Sequence, residues 1–151
     1  MVSLADLIAR VESGNNAGAL RFEPAVYARL IKEGPVINPT LLDIMRINAV
    51  DPQTARMIYA TSWGKFQIMG ETLYSDPLSY EAPLWVFFSS EVIQGAIFNR
   101  FVAARGIDID PANQNDYLRF ATVYNGPGDP EAYAEEMIRA YRDLGTIKGE
   151  K

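Results

Sequence analysis

The 151-residue sequence contains neither histidine nor cysteine. Without an imidazole to accept a proton, Ser-His-Asp and Cys-His nucleophilic catalysis are excluded. Zinc hydrolysis is disfavoured because zinc sites are built mainly from His and Cys, and we expect neither a metal nor another cofactor. Since no disulfide can form, the sequence does not indicate a redox compartment. The chemistry that remains is that of Asp, Glu, Tyr, Lys and Arg.

Further absences narrow the possible partners. No apolar run approaches the roughly 18 residues that a membrane span needs, and the N-terminus lacks the basic and then apolar layout of a signal peptide. We therefore expect no membrane insertion. The formal net charge is −5, with neither a basic run nor a Gly-rich phosphate loop followed by Lys and Ser or Thr. Nucleic acids and nucleotides are consequently poor candidate partners.

The hydrophobic pattern predicts one helix after another, and little strand. Several predicted helices begin or end at residues with the matching cap preference, namely Ser3, Gly14, Pro24 and Pro52. The most apolar segment, from Leu84 to Ala104, predicts a helix at the buried centre, and a last helix is expected from Pro130 to Leu144. We expect a single, mainly α domain over residues 1–145 and a loose tail over residues 146–151.

Glu12 is the first candidate catalytic residue. It lies on the rim of the apolar stripe of the first helix and in its last turn, where the backbone carbonyls present their negative ends. Burial and these carbonyls both disfavour the carboxylate, so the pKa of Glu12 should rise. A carboxylic acid that stays protonated near neutral pH suits protonation of a glycosidic oxygen. The alternative at this point is an ordinary solvated glutamate at a helix end.

Two later segments offer polar and aromatic groups that suit sugar binding. In Ser62-Trp63-Gly64-Lys65-Phe66-Gln67-Ile68-Met69, the glycine allows a turn and the glutamine supplies both a donor and an acceptor. Trp63 and Phe66 offer flat faces on which sugar rings stack. In Tyr124-Asn125-Gly126-Pro127-Gly128, the tyrosine is a candidate hydroxyl partner of the acid and the asparagine a substrate contact. Taken separately, the two segments also suit a turn with core aromatics and an ordinary helix end.

Together, Glu-Ser, Ser-x-Gly-x-x-Gln-Ile-Met and Tyr-Asn-Gly-Pro-Gly, in this order, resemble the lysozyme-like superfamily. The chain is most similar to soluble lytic transglycosylases and to phage N-acetylmuramidases of the endolysin type. Further similarity to the muramidases lies in residues 19–24, residues 116–121, Ala132-Tyr133 and Ala140-Tyr141. The resemblance runs from about residue 4 to residue 142 and implies a helical domain like that of goose-type lysozyme and the transglycosylases.

The resemblance implies a role for individual residues. Glu12 matches the catalytic acid, and Glu23 is the best candidate for a second carboxylate, ahead of Glu71 and Asp76. The residues expected to bind the glycan are Ser62, Gln67, Tyr124, Asn125 and Gly126. Lys65-Phe66 departs from the smaller or aliphatic residues usual in relatives, which puts the shape of one subsite in doubt.

The implied function is cleavage of the β-1,4 bond between N-acetylmuramic acid and N-acetylglucosamine in the glycan strands of peptidoglycan. We expect a monomer that resides in a host cytoplasm before holin-assisted release to the cell wall or periplasm, or that is carried in a phage virion. The alternatives are a lytic transglycosylase, a non-catalytic glycan-binding or structural module, and a helical interaction protein. The acidic balance gives no long-range attraction to peptidoglycan, which is negatively charged. The basic residues that could offset it locally are Arg21, Arg56, Lys65 and Arg100.

Overall fold

A computed structural model describes residues 1–34, 38–126 and 128–149 of the chain. The helices of this part are α1 (Leu4–Ser13), α2 (Pro24–Lys32), α3 (Pro39–Asn48), α4 (Pro52–Tyr59), α5 (Gly70–Tyr74), α6 (Leu84–Phe88), α7 (Glu91–Ala104), α8 (Tyr117–Tyr124) and α9 (Pro130–Gly149). A short 3-10 turn over Gln114–Asp116 precedes α8. The strands are β1 (Leu20–Phe22), β2 (Thr61–Trp63) and β3 (Ile68–Met69). The prediction of a mainly α fold with little strand is confirmed.

Helix ends that depend on local chemistry lie where the sequence predicts them. The Ser3 hydroxyl accepts a hydrogen bond from the Asp6 amide at 3.1 Å and so caps α1. Gly14 ends that helix in the left-handed region, at φ 62°, which glycine adopts without steric cost. Pro24 and Pro52 are the first residues of α2 and α4, where a missing N–H costs nothing.

The prediction of one continuous helix from Leu84 to Ala104 is wrong, because α6 ends before Ser89 and α7 begins after Ser90. The Ser90 side chain accepts a hydrogen bond from the Ile93 amide at 3.2 Å, so it starts a new helix instead of continuing the old one. Burial is also one-sided in α7. Phe98 is fully buried, whereas Val92 is 83% exposed.

The last helix continues beyond its predicted end at Leu144 as far as Gly149. The prediction of a loose tail is therefore wrong for residues 146–149, and residues 150 and 151 lie outside the described part. Gly145 is tolerated inside the helix, although glycine is a weak helix former. The Thr146 hydroxyl donates to the Arg142 carbonyl one turn earlier, at 3.1 Å, and no proline stops the helix here.

The strands form a small antiparallel sheet in the order β1-β2-β3. Arg21 pairs with Ser62 between the first two strands, and Trp63 pairs with Ile68 between the last two. The tight turn between β2 and β3 has two residues in the left-handed region, Gly64 at φ 78° and Gln67 at φ 49°. This sheet therefore places the predicted Ser-Trp-Gly-Lys-Phe-Gln segment beside β1.

Packing brings the first and last helices together. The long helix α9 packs along both α1 and α8. In the core between the helices and the sheet, the Phe66 and Phe98 rings stack with centroids 4.3 Å apart. Within the described residues, no helix is both long enough and apolar enough to cross a membrane. The end of α1, which carries Glu12, thus lies against α9.

Candidate active site

A pocket of about 300 Å³ opens where the end of α1 meets β1 and the start of α9. Its walls are mostly polar and carry three acidic side chains and one basic side chain. The residues that line it are Val11, Glu12, Arg21, Asn125, Asp129, Ala132, Tyr133 and Glu136. Two of the predicted site residues, Glu12 and Asn125, therefore share this pocket.

Glu12 lies in this pocket as a mostly buried carboxyl group. Its Oε1 accepts a hydrogen bond of 2.5 Å from the Tyr133 hydroxyl. Burial is the largest effect on this group, and it raises the pKa of Glu12 from 4.5 to about 7. The Tyr133 hydrogen bond and the positive charge of Arg21 act in the opposite direction, whereas the charge of Glu136 adds to the rise. The predicted upward shift is confirmed, and Glu12 keeps its proton up to about neutral pH.

The sequence suggested Tyr124 as the hydroxyl partner of Glu12, and this prediction is wrong. The hydroxyl that contacts Glu12 belongs to Tyr133. Tyr133 is buried in α9, and burial together with the nearby Glu12 charge raises its pKa well above the ordinary value. It therefore remains a hydrogen-bond donor throughout the range in which Glu12 titrates. The Tyr124 hydroxyl instead donates to the Phe66 carbonyl at 2.7 Å.

Three side chains from distant parts of the chain fix the turn between β2 and β3. The Ser13 hydroxyl donates to the Lys65 carbonyl at 2.9 Å, and the Gln94 Oε1 accepts from the Lys65 amide at 2.9 Å. Tyr124 holds the next residue, Phe66, through the bond already described. Since Ser13 directly follows Glu12, its bond also ties the end of α1 to the sheet. This network therefore sets where the candidate acid lies relative to β1.

The predicted glycan-binding residues do not all meet at one place. Gln67 and Tyr124 line a second, smaller pocket of about 140 Å³, together with Met69, Thr72 and others. Ser62 is only 3% exposed, within β2. Gly126 follows Asn125 in the left-handed region at φ 68°, and Pro127 of the same motif lies outside the described residues.

The two aromatic residues expected to stack on sugars have other partners. Phe66 is buried and stacks on Phe98, so the prediction that it offers a face to a sugar is wrong. Burying an aromatic ring in the core removes it from any ligand. Trp63 is half-buried, with its ring edge-on to Phe88 and its Nε1 donating to the Ile58 carbonyl at 3.2 Å.

None of the carboxylates considered as partners of Glu12 is among the residues that line its pocket. Glu23, the favoured one, accepts a hydrogen bond of 2.6 Å from the Arg21 Nε. Glu71 lies 3.8 Å from an Arg29 nitrogen, and Asp76 accepts from the Ser79 hydroxyl at 2.7 Å. The acidic groups that do share the pocket with Glu12 are Asp129 and Glu136.

Of the four basic residues considered for a cleft, only Arg21 lines the described part of the Glu12 pocket. The Lys65 ammonium pairs with Glu91 at 2.8 Å, and the Arg100 guanidinium donates to the Leu78 carbonyl at 3.0 Å. Within residues 1–34, 38–126 and 128–149, no group of three or more acidic side chains is placed to hold a metal ion.

Sequence reasoning missed Tyr133, Asp129 and Glu136 as members of the site. The Ala132-Tyr133 pair belongs to the segment that resembles muramidases, which was the available indication for the tyrosine. Asp129 directly precedes α9, and its Oδ1 accepts a hydrogen bond from the Ala132 amide at 2.9 Å. Glu136 follows Tyr133 by about one helical turn and so lies on the same face. Their nearness to Glu12 depends on how α9 packs against α1.

Comparison with known proteins gives two matches. The model of the N-acetylmuramidase family, called Muramidase, matches residues 40–145, which include Tyr124, Asn125 and Tyr133 but not Glu12. The endolysin of Enterobacteria phage PRD1 is 36% identical over 149 residues, covering 95% of this chain and 97% of that protein. No solved structure gives a significant match.

Proposed function

The chain belongs to the N-acetylmuramidase family of peptidoglycan-cleaving glycosidases, and from this premise we propose that Glu12 is the general acid of the reaction. The observation that carries the proposal is the buried carboxyl group at the pocket wall, with a pKa of about 7 and a hydrogen bond from Tyr133. A group protonated near neutral pH is what an acid needs to protonate a leaving oxygen.

The bond cleaved would be the β-1,4 bond between N-acetylmuramic acid and N-acetylglucosamine. Glu12 gives its proton to the glycosidic oxygen as the bond to the anomeric carbon breaks, and an oxocarbenium-like transition state forms. The bonding electron pair stays with the leaving oxygen. Glu12 becomes a carboxylate, which the Tyr133 hydroxyl stabilises through its hydrogen bond.

Water then attacks the anomeric carbon in the hydrolytic route that we favour. Glu23 is the candidate that the sequence offered for a carboxylate that assists this water, but its bond to Arg21 and its place outside the pocket lining do not support that role. The second candidate function is a lytic transglycosylase, in which the muramyl 6-hydroxyl attacks and Glu12 alone acts as acid and base. The observation in its favour is that Glu12 is the only mostly buried carboxyl group among the pocket's described lining residues.

Glu12→Gln is the variant that tests the acid. The amide keeps the shape of the side chain and can still accept a hydrogen bond from Tyr133, but it has no proton to give. We expect peptidoglycan cleavage to fall about 10²- to 10⁴-fold, the usual contribution of general acid catalysis.

Glu135→Gln is the matched control, because Glu135 is exposed on α9 and does not line this pocket. It should leave cleavage unchanged. A Glu12→Gln protein that is folded and as active as the parent would refute the assignment. Mass analysis of the parent's products distinguishes the two routes, since hydrolysis leaves reducing muramic acid ends and transglycosylation leaves 1,6-anhydro ends.

We assign glycan contacts to Asn125 and Gly126 beside Glu12, and to Gln67 and Tyr124 at the second pocket. Ser62 acts on the glycan only indirectly in this proposal, by holding β1 in register. The two pockets would then bind neighbouring parts of one glycan strand. This is supported by the distance between one residue of each pocket. Tyr133 lines the Glu12 pocket, Tyr124 lines the second pocket, and the centroids of their rings lie 6.4 Å apart.

Endolysin function during phage lysis is the biological role that we propose. It is supported by the similarity to the PRD1 endolysin along almost the whole of both chains. A monomeric catalytic domain that extends to the end of α9 would reside in the host cytoplasm and reach the wall or periplasm with the help of a holin. Delivery in the virion is the alternative. Cleavage assays on whole cells, with and without permeabilised membranes, test whether the enzyme needs such a passage.

A further inference from the structure

Arg21 and Glu23 form an ion pair at the edge of the Glu12 pocket. They are two residues apart at the end of β1, so their side chains leave the strand on the same side. The Arg21 Nε lies 2.6 Å from the Glu23 Oε1, while the two side chains are 70% and 31% exposed. A guanidinium group has four further N–H donors besides this one. The pair can thus hold Arg21 in place and leave most of its donors for the pocket.

The backbone on both sides of this pair is fixed. Arg21 lies opposite the buried Ser62 in the sheet. The Glu23 amide donates to the Ala60 carbonyl at 2.8 Å, and Pro24 starts α2 directly after it. An exposed ion pair between mobile side chains is worth little, but here the backbone of both residues is held in place, by the pairing of Arg21 with Ser62 and by the bond from the Glu23 amide.

Arg21 differs in charge from the other ionisable groups around Glu12, most of which are acidic. From α9 and the segment before it, Glu12 faces Tyr133, Glu136 and Asp129, and from α8 the partly buried Tyr124 lies near it. Arg21 supplies the positive charge among the described lining residues of the pocket. It comes from β1, whereas Asp129 and Glu136 come from the start of α9 and the segment before it.

We propose that Arg21 stabilises the Glu12 carboxylate that is left after proton transfer, and that Glu23 is a positioning residue that acts through Arg21 and not on water. This inference rests on the proposed role of Glu12 as the acid. It is supported by the effect of Arg21 on the titration of Glu12, since its charge favours the ionised form. Glu23 then takes part in catalysis without touching the substrate.

The test combines Arg21→Gln, Arg21→Lys, Glu23→Gln and the double variant Arg21→Gln/Glu23→Gln, with kcat/KM measured from pH 5 to pH 9. Arg21→Gln should lower the plateau rate about tenfold, in the range of coupled charge pairs. Its activity should also extend to higher pH, because Glu12 holds its proton longer without the cation. Arg21→Lys, which keeps the charge, should restore most of the parent's pH profile.

Glu23→Gln should lower the rate severalfold when Arg21 is present and by less than about twofold when residue 21 is glutamine. A loss of equal size in both backgrounds would overturn the proposal, because a carboxylate that activates water itself needs no Arg21. An Arg21→Gln profile that coincides with the parent's would also overturn it. If instead Glu12→Gln stays active, the proposed function itself fails, so the two failures are distinguishable.

The matched control is the Arg46–Asp43 pair on α3, which is also exposed and has an N–O distance of 3.2 Å. Arg46→Gln makes the same chemical change at an exposed pair whose residues do not line the Glu12 pocket. It should leave both the rate and the pH profile unchanged. Thermal unfolding of every variant, at pH 6, checks that the rates refer to folded protein.

Discussion

Gln94 and Glu12 differ by one functional group, an amide against a carboxyl, and the protein buries both. Gln94 is completely buried in α7. Its Oε1 accepts from the Lys65 amide, and its Nε2 lies within 3.1–3.3 Å of the carbonyls of Ala17, Phe87 and Phe88. The hydrogen-bonding capacity of this side chain is therefore used within the protein.

Glu12 has the opposite arrangement. Tyr133 is its side-chain hydrogen-bond partner, and the group faces a pocket. A buried polar group with all its partners stabilises one structure, whereas one that lacks partners for its charged form keeps its proton and can give it away. The difference between the two regions is therefore a difference in how completely each buried group is satisfied.

The largest effect is expected from Gln94→Met, which tests whether the hydrogen bonds of the buried amide stabilise the fold. The methionine has similar volume but leaves the Lys65 amide and three carbonyls without their partner. We expect the free energy of unfolding to fall by about 4 kcal/mol, because unsatisfied buried groups cost their full desolvation. Urea unfolding measures it. Gln67→Met is the control, since among the described residues the Gln67 Nε2 donates to the Gly64 carbonyl alone, at 3.0 Å, and loss of that bond should cost about 1 kcal/mol. Equal losses would contradict the comparison.

The second largest effect is expected from Glu12→Gln, which should change how the free energy of unfolding depends on pH. The pKa of Glu12 is higher in the folded chain, about 7 against 4.5, so the folded state binds the extra proton between these values. In the parent, Glu12 contributes most to the free energy of unfolding below about pH 4.5. This contribution falls as the pH rises to about 7. Relative to the parent, Glu12→Gln should therefore gain about 3 kcal/mol between pH 4.5 and pH 8. Urea unfolding at the two pH values tests this, and a constant difference would contradict the raised pKa.

The smallest effect is expected from removing a tyrosine hydroxyl, and it should differ between Tyr133 and Tyr124. Tyr133→Phe removes the hydrogen bond that favours the Glu12 carboxylate, so the pKa of Glu12 should rise further and activity should extend to higher pH. The rate should fall about tenfold, equivalent to about 1.4 kcal/mol for a lost bond to a charged group. Tyr124→Phe removes a bond to a carbonyl instead and should leave the pH profile in place. Profiles of kcat/KM against pH decide between them, and identical shifts would refute the assignment of Tyr133.

The sequence predicted the features that depend on neighbouring residues. Ser3 and Gly14 delimit α1 because capping and left-handed backbone are local properties. The predicted pKa shift of Glu12 was also right in direction, since its position on the rim of an apolar stripe implied burial. The resemblance to muramidases added the order of the motifs and pointed to the same residue.

Long-range contacts account for what could not be predicted. Tyr133 lies 121 positions from Glu12, and their bond exists only because α9 packs on α1. Tyr124 and Tyr133 are both tyrosines near the same motif, so residue type could not distinguish them. The break at Ser89-Ser90 was missed because the apolar pattern continues on both sides of it. The burial of Phe66 likewise could not be predicted, because the Phe66 ring stacks on Phe98, which is remote in sequence.

The meeting of α1 and α9 also has a consequence for the making of the protein. A nascent chain that ends after α8 already contains Glu12, Arg21 and Asn125 but lacks Tyr133 and the whole pocket wall that α9 provides. Incomplete translation products, and molecules from which a protease has removed α9, therefore contain the acid without its Tyr133 partner and without the packing of α9 on α1. In this fold the acid acquires its complete surroundings only when α9 has been synthesised and has packed on α1.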